Sequence, residues 1–497
     1  MSKHYSIRPL SLVPVLNTIG VLIAVIGLCM IIPWLVAWGY GDGDADAIGK
    51  AAIITFLSGG IMFLFTRHQH EITNRQGFVS VAVSWLAASL FGALPLYFGT
   101  TLSYTDSFFE IMSGFTTTGA SILTDIESMP HGLLFWRSMT QWLGGMGIIV
   151  FTVTILPLLG RSGSTLFAAE VPGPVNDKLT PRISETAKLL WGVYALISLF
   201  EFLLLWLGPM DWFDAVCHTF TTMATGGFST KNASIAYYNS AYVEWVITIF
   251  MVIAGTNFAL HYFGIRAKFM KYLRSREWQF WMLIILGSCL VIFLDFAFSD
   301  FYKQSAPAAA EFAKSPIRSI AFQVASIVST TGYASRDFEQ WSYLAQFTLV
   351  SLMLIGGMAG STGGGIKAIR VLVFTKMATL EIRRMIHPRG FFPLKLHGQL
   401  IEIGAIRNTT AFLLFYGIIF GVLSLVLTFF GRDLVTAMTA TISMLSNIGP
   451  GLGMVGPLDS YAFFTNLEKW LLSLTMMAGR LEILTVMVIF NRYFWRF

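Results

Sequence analysis

"VSTTGYAS", Val328 to Ser335, sets small hydroxyl residues, one glycine and one aromatic inside a stretch of chain that is otherwise greasy. A polar, glycine-centred kink interrupts any helix that carries it, so its purpose has to be read from what surrounds it.

The surroundings are membrane-like. Of 497 residues 55% are hydrophobic and 12% charged, and apolar runs of membrane-crossing length recur from Leu12 to Phe490. That composition defines a polytopic membrane protein, because a soluble helical protein of this size needs far more charge on its outside. The run behind Lys3 and Arg8 is longer than a signal-peptide core and lacks a small-residue cleavage site, so it reads as a retained first helix. Cys29, Cys217 and Cys289 lie scattered in apolar segments without metal-ligand spacing, and their odd number gives no disulfide frame.

Ten full-length helices are expected, near residues 12–39, 50–66, 78–98, 135–158, 186–208, 241–265, 278–298, 342–386, 408–430 and 467–490. An even number puts both termini on one side. With the termini in the cytoplasm most of the 33 Lys and Arg fall inside, including "RHQHEITNR" from Arg67, "RAKFMKYLRSR" from Arg266, and Lys376, Arg383, Arg384 and Arg389. The positive-inside rule is then satisfied, and the net charge of +6 is mostly topology. The eighth helix is too long for one crossing. It is broken by "GGMAGSTGGGIK", Gly356 to Lys367, where six glycines in twelve residues forbid a steady helix. Such a loop, with Ser361 and Thr362 in it, suits a gate.

Between the long helices stand four shorter semi-apolar segments, each running into a glycine-centred polar stretch: "TTTGAS" (Thr116 to Ser121), "MATGGFS" (Met223 to Ser229), "STTGYAS" (Ser329 to Ser335) and "SNIGPGL" (Ser446 to Leu452). Their central glycines are read as Gly119, Gly226, Gly332 and Gly449, at nearly equal intervals of just over a hundred residues. In the same phase, the following helices carry Gly147, Gly255, Gly360 and Gly479; close helix packing is the ordinary reading of Gly147 and Gly255. Irregular backbone at membrane depth is tolerated only when buried in protein or lining a water-filled cavity. Four re-entrant segments around one axis meet that condition by turning carbonyl oxygens toward a common line, which is an ion-selectivity filter. Carbonyls suit a weakly hydrated monovalent cation, whereas a divalent site would favour several carboxylates and the four stretches have none.

Each helix, re-entrant segment, helix unit resembles a potassium-channel pore subunit, and the four stretches together resemble the filters of the Trk/Ktr/HKT superfamily of potassium transporters. The extra N-terminal helix pair, the broken helix of the third unit and "AGRLEI" in the fourth point to its bacterial TrkH branch. The fold class expected is an all-α polytopic membrane protein of four pseudo-symmetric repeats around one pore plus an N-terminal helix pair. Its divisions are 1–76 for the N-terminal pair, then 77–182, 183–277, 278–400 and 401–497 for the repeats. The filter is expected at Thr117, Thr118, Gly119, Ala224, Thr225, Gly226, Thr330, Thr331, Gly332, Asn447, Ile448 and Gly449, with K⁺ the ion bound and carried.

The resemblance further implies an intramembrane loop as gate, here Gly356, Gly357, Gly360, Ser361, Thr362, Gly363, Gly364 and Gly365. It also implies a homodimer with a pore in each subunit, a cytoplasmic ring of nucleotide-binding TrkA subunits docked on the inner basic loops, and residence in the bacterial inner membrane. Arg480 in "MAGRLEIL" sits level with Ile148, Thr256 and Ser361 of the other units. It is expected to line the pore beneath the filter and repel cations.

The remaining signals are weaker. "GLGMVG" at Gly451 to Gly456 matches a dinucleotide fingerprint, but no strand precedes it and Pro457 follows, while "GSTGGGIK" lacks the glycine a phosphate loop needs before Lys367. No bound nucleotide and no nucleic acid are expected in this chain. No nucleophile–base pair or metal cluster appears, so an enzyme is not expected. Glu110, at the depth where the third unit has Gln323, is placed behind the filter; Asp106 and Asp214 are either helix N-caps or cation attractors; His218 and His261 are given local hydrogen-bonding roles. The rival function is a secondary transporter coupling K⁺ to Na⁺ or H⁺ by alternating access, for which broken helices are equally natural.

Overall fold

The computed structural model describes residues 11–67, 73–147, 183–299, 301–302, 315–390, 392–396, 399–401 and 403–496. Ile148, the C-terminal part of the helix expected over 135–158, and most of "RHQHEITNR" lie outside the described residues.

Long apolar helices make the outer wall. Val13–Tyr40, Ala45–Phe65, Arg75–Gly99, Ala187–Trp206, Arg276–Phe298 and Gly404–Phe429 are each long and apolar enough to cross a membrane. In Arg276–Phe298 only 17% of the most apolar stretch is buried inside the protein, and Leu283, Leu286 and Leu290 point outward. Such a surface costs about 25 cal/mol per Å² in water, and lipid tails remove that cost.

Inside the wall stand four short helices, Tyr104–Phe115, Trp212–Met223, Pro316–Val328 and Leu434–Ser446. At 1.5 Å per residue each reaches only about 20 Å, well short of a bilayer core of about 30 Å. Three begin with a side-chain cap: Ser103, Asp211 and Asp433 accept from the backbone N–H of Asp106, Asp214 and Thr436. They are buried on nearly every side. The first and fourth share an apolar cluster through Phe108, Met112, Ala440 and Met444, the second and third share another through Ala215, Met223, Phe322 and Ala325, and the third and fourth meet through Val328 and Ile442. The short helices are therefore the packed centre of the molecule.

The helices that follow them are not straight. The sequence predicts one uninterrupted break, in the third unit, and that break is present: Tyr343–Met353 and Ala368–Ile386 flank the glycine loop. The helices expected over 241–265 and 467–490 are also broken, into Ala241–Ala254 and Phe258–Ile265 bent by 106°, and into Asn466–Arg480 and Ile483–Phe490 bent by 114°. In the first unit, His131–Trp142 widens into a π-helical turn over Leu143–Gly147. The apolar pattern continues across these breaks, which is why periodicity misses them. Gly255 and Gly479 are thus at or beside breaks as well as packing positions.

A break leaves backbone groups without helical partners, and in a membrane these must be met within the protein. The glycine loop of the third unit does so for the second: Met358 N–H donates to the Gly255 carbonyl at 2.9 Å and Phe258 N–H to that of Gly360 at 3.0 Å. Asn257 caps the restarted helix by accepting from Ala259 N–H at 2.8 Å. Glu482, with φ +58°, turns the chain in the fourth unit. Beyond Ala368–Ile386 a small antiparallel ladder pairs Lys395 with Leu400 and Leu396 with Gln399.

Candidate ion-conduction site

Each short helix ends in the same backbone manoeuvre. Thr117, Thr225, Thr330 and Asn447 take left-handed φ values of 52°, 53°, 63° and 54°, and two residues on, Gly119, Gly227, Gly332 and Gly449 take 81°, 77°, 81° and 100°. The residue between donates back into its helix: Thr118 to the Ser113 carbonyl at 2.9 Å, Gly226 to Thr221 at 2.8 Å, Thr331 to Ser326 at 2.9 Å and Ile448 to Ser443 at 3.0 Å. A β-branched threonine pays about 1–3 kcal/mol to hold such a φ, so a conformation repeated this way is imposed by the surrounding packing.

This corrects the register of the second stretch by one residue. The glycine equivalent to Gly119, Gly332 and Gly449 is Gly227, and Gly226 stands level with Thr118, Thr331 and Ile448; the matching triplet is Thr225, Gly226 and Gly227, with Ala224 still in the turn that closes the helix. Two adjacent glycines offered both registers to a reader of the sequence.

The four glycines close a ring. A Cβ on Gly119 would overlap the carbonyl oxygen of Gly226; one on Gly227, that of Thr331; one on Gly332, that of Ile448; and one on Gly449, that of Thr118. Each segment thus lays a carbonyl into the space that a side chain of the preceding segment would fill, in the order one, two, three, four and back to one. Only glycine serves, on two counts: positive φ and the room taken by the neighbour. The four glycines line a single cavity of about 280 Å³, with Lys231 and Asp459 also in its wall.

A second layer of side chains braces the ring. Glu110, fully buried, accepts from Ser121 Oγ at 2.9 Å, Ile122 N–H at 2.8 Å and Arg137 Nε at 2.5 Å. His218 stands at the equivalent place in the second unit and meets Ser229 Oγ at 3.0 Å through Nε2. Gln323, in the third, donates to the Tyr333 carbonyl at 3.3 Å, and the Tyr333 hydroxyl reaches back to Thr221 of the second short helix. In the fourth, Tyr461 donates to the Gly449 carbonyl at 2.7 Å, while Asn447 Nδ2 donates to Thr118 Oγ1 and to the Met476 carbonyl, both at 2.9 Å. Glu110 and Gln323 lie where their spacing places them. Arg137, Tyr461, the bracing by His218, and Gln141, whose Nε2 donates to the Gly226 carbonyl at 2.7 Å, were not read from the sequence; polar side chains inside apolar helices were the available signal.

Asp106 and Asp214 are not the N-caps of their helices. The caps are Ser103 and Asp211. Asp106 is bound by Lys469 Nζ at 2.6 Å, and Asp214 accepts from Thr230 Oγ1 at 2.6 Å and from the Tyr238 hydroxyl at 2.5 Å. Asp106 thus ties the helix Asn466–Arg480 to the first short helix, and Asp214 ties the following loop to the second.

Beneath the ring lies the glycine loop. Its neck is closed by Gly356 N–H donating to the Ile366 carbonyl at 3.0 Å. Gly364 N–H donates to Thr330 Oγ1 at 2.7 Å, Thr362 Oγ1 donates to the Met223 carbonyl at 3.0 Å, and a Cβ on Gly364 would overlap the Ser446 carbonyl. The loop therefore touches the ends of the second, third and fourth short helices. Arg480 completes the circuit: Nη1 donates to the Thr362 carbonyl at 2.6 Å, and Nη2 to those of Gly144 and Gly145 at 2.8 Å each. Its neighbour Glu482 is paired with Arg370. The helix ends at Arg480 and the chain turns at Glu482, so the two side chains part and the guanidinium reaches across the molecule.

Four re-entrant helices around one ring, inside a wall of lipid-facing helices, define a pore-loop membrane protein. The chain belongs to the TrkH cation transport protein family, whose model matches residues 46–495. It is 38% identical over 483 residues to the Trk system potassium uptake protein TrkH of Escherichia coli K12, covering 96% of this chain and 98% of that one. It is 37% identical over 492 residues to the protein of the same description from Halomonas elongata, covering 98% and 100%. The crystal structure of the potassium transporter TrkH from Vibrio parahaemolyticus superposes with a TM-score of 0.85 at 32% identity, covering 98% of this chain and 100% of that one.

Proposed function

We propose that the protein takes up K⁺ across the bacterial inner membrane through the ring of four segments, with Gly356 to Gly365 and Arg480 as the gate. The observation that carries this is the closed cycle in which each glycine's missing side chain makes room for the next segment's carbonyl. The filter is then Thr117, Thr118 and Gly119; Thr225, Gly226 and Gly227; Thr330, Thr331 and Gly332; and Asn447, Ile448 and Gly449. Small hydroxyl and carbonyl oxygens without a carboxylate in these stretches suit K⁺. The names of the relatives, potassium uptake proteins, agree with that ion.

The gate reading is supported by the loop and Arg480 touching all four units beneath the ring. A negative cell interior supplies about 2.3 kcal/mol per charge per 100 mV, enough to draw K⁺ inward. A TrkA-type nucleotide-binding ring docks on the cytoplasmic face, for which Arg383 and Arg384 at the exposed end of Ala368–Ile386 are the chemical support. A homodimer with one pore in each chain, the four units at 77–182, 183–277, 278–400 and 401–497 together enclosing it, follows from the family resemblance.

Rubidium uptake into K⁺-loaded proteoliposomes of the purified protein tests the reading. Uptake should proceed without a Na⁺ or H⁺ gradient and be competed by external K⁺ better than by Na⁺. Uptake that stops when either gradient is removed would replace the pore by a coupled symporter.

A further inference from the structure

Among the described residues, the second segment is held from the neighbouring unit by a clamp of two side chains. His131–Trp142 presents Arg137 and Gln141, one helical turn apart and so on one face, to the backbone of the second segment. Gln141 is fully buried; its Nε2 donates to the Gly226 carbonyl at 2.7 Å and its Oε1 accepts from Phe228 N–H at 3.1 Å. Arg137 donates to the Ser229 carbonyl at 2.8 Å and lies 3.6 Å above the Phe228 ring. Three residues of one short stretch, Gly226, Phe228 and Ser229, are thus gripped from the neighbouring unit. Gly226 is glycine for this reason: a Cβ there would overlap the Gln141 amide.

The carbonyl that Gln141 holds is a member of the ring, since it occupies the space beside Gly119. A bifunctional amide fixes that oxygen by its donor and the chain beyond it by its acceptor, which sets both position and tilt. Thr331, level with Gly226, has a hydroxyl bonded to Ser329 Oγ at 2.7 Å, and that of Thr118 lies 2.8 Å from Thr116 Oγ1; Gly226 has no side chain with which to brace itself. Gln141 supplies from outside the support that the segment cannot.

We propose that Gln141 is a positioning residue for ion selectivity: it holds the Gly226 carbonyl at the radius that K⁺ requires. This rests on the reading of the ring as the filter. Loss of the amide lets one of the four walls relax, so the ring accommodates smaller ions while still conducting.

The test is the K⁺ to Na⁺ permeability ratio, from reversal potentials of the full-length purified protein in planar bilayers. Three variants are compared with the parent: Gln141→Met, which keeps length and removes both hydrogen bonds; Gln141→Leu, which removes both with a branched apolar side chain; and Gly332→Ser, which acts on the ring directly. Gln141→Met should lower the ratio about two- to tenfold, the range into which the loss of the one neutral hydrogen bond to the ring carbonyl converts. Gln141→Leu should lower it too, because that donor is again gone. If Gly332→Ser lowers the ratio while both folded Gln141 variants keep the parental value, Gln141 is only a packing residue and the inference fails alone. If Gly332→Ser also keeps it, the ring is not the filter. Should Gln141→Met not assemble, Gln141→Leu decides by the same criterion.

Discussion

A guanidinium at membrane depth costs about 2.5–3.5 kcal/mol on insertion scales, so Arg480 must face protein or water. It does, with three carbonyl acceptors from two other units. Those acceptors leave its charge in place beneath the ring, and a fixed positive charge there opposes cations. Arg480→Ala should raise basal rubidium flux severalfold in proteoliposomes with matched protein content; flux at or below the parent's would reduce Arg480 to a strut. Arg480→Lys keeps the charge but cannot span Thr362 and Gly144 together, so its flux should fall between the two. A different residue-scale expectation concerns stability. Glu110 and Arg137 form an ion pair with almost no exposure. Glu110→Ala leaves the cation buried and unpaired, a loss of about 3–5 kcal/mol, to be seen as a lowered unfolding temperature in detergent.

Among the elements, the broken helices join the units beneath the ring. The glycine loop satisfies backbone groups at the break of the second unit, meets Thr330 at the base of the third segment, and receives Arg480 from the fourth unit. Removing residues 357–363 should therefore raise basal flux and leave the K⁺ to Na⁺ ratio near the parental value, because Gly364, which meets Thr330, is kept and the ring carbonyls do not touch the removed residues. Unchanged flux in a folded variant would make the loop a packing device. The break at Gly356 to Lys367 was legible because six glycines cannot be helical. The breaks at Gly255 to Asn257 and Leu481 to Glu482 were not: each is a short interruption in an apolar run, and the partners that make it tolerable come from a distant part of the chain. The same limit hid Gln141 and Arg137, whose work depends on contacts with residues 226–229. The one-residue slip between Gly226 and Gly227 has another cause, since spacing alone cannot rank two neighbouring glycines and only φ and the next segment's carbonyl do so.

For the molecule as a whole, the recurring glycine stretches and the apolar runs made the pore-loop architecture readable, because both follow from what a bilayer forbids. What the fold adds is closure: the segments meet in chain order and the fourth returns to the first, by Gly449 against Thr118 and by Asn447 bonded to it. Every part of the account depends on that ring discriminating between ions. The most direct measurement is the K⁺ to Na⁺ permeability ratio of the purified protein and of Gly119→Ser, Gly227→Ser, Gly332→Ser and Gly449→Ser in planar bilayers. A parent selective for K⁺, with the ratio lowered in each variant, is the predicted result; four folded variants that all keep the parental ratio would contradict it.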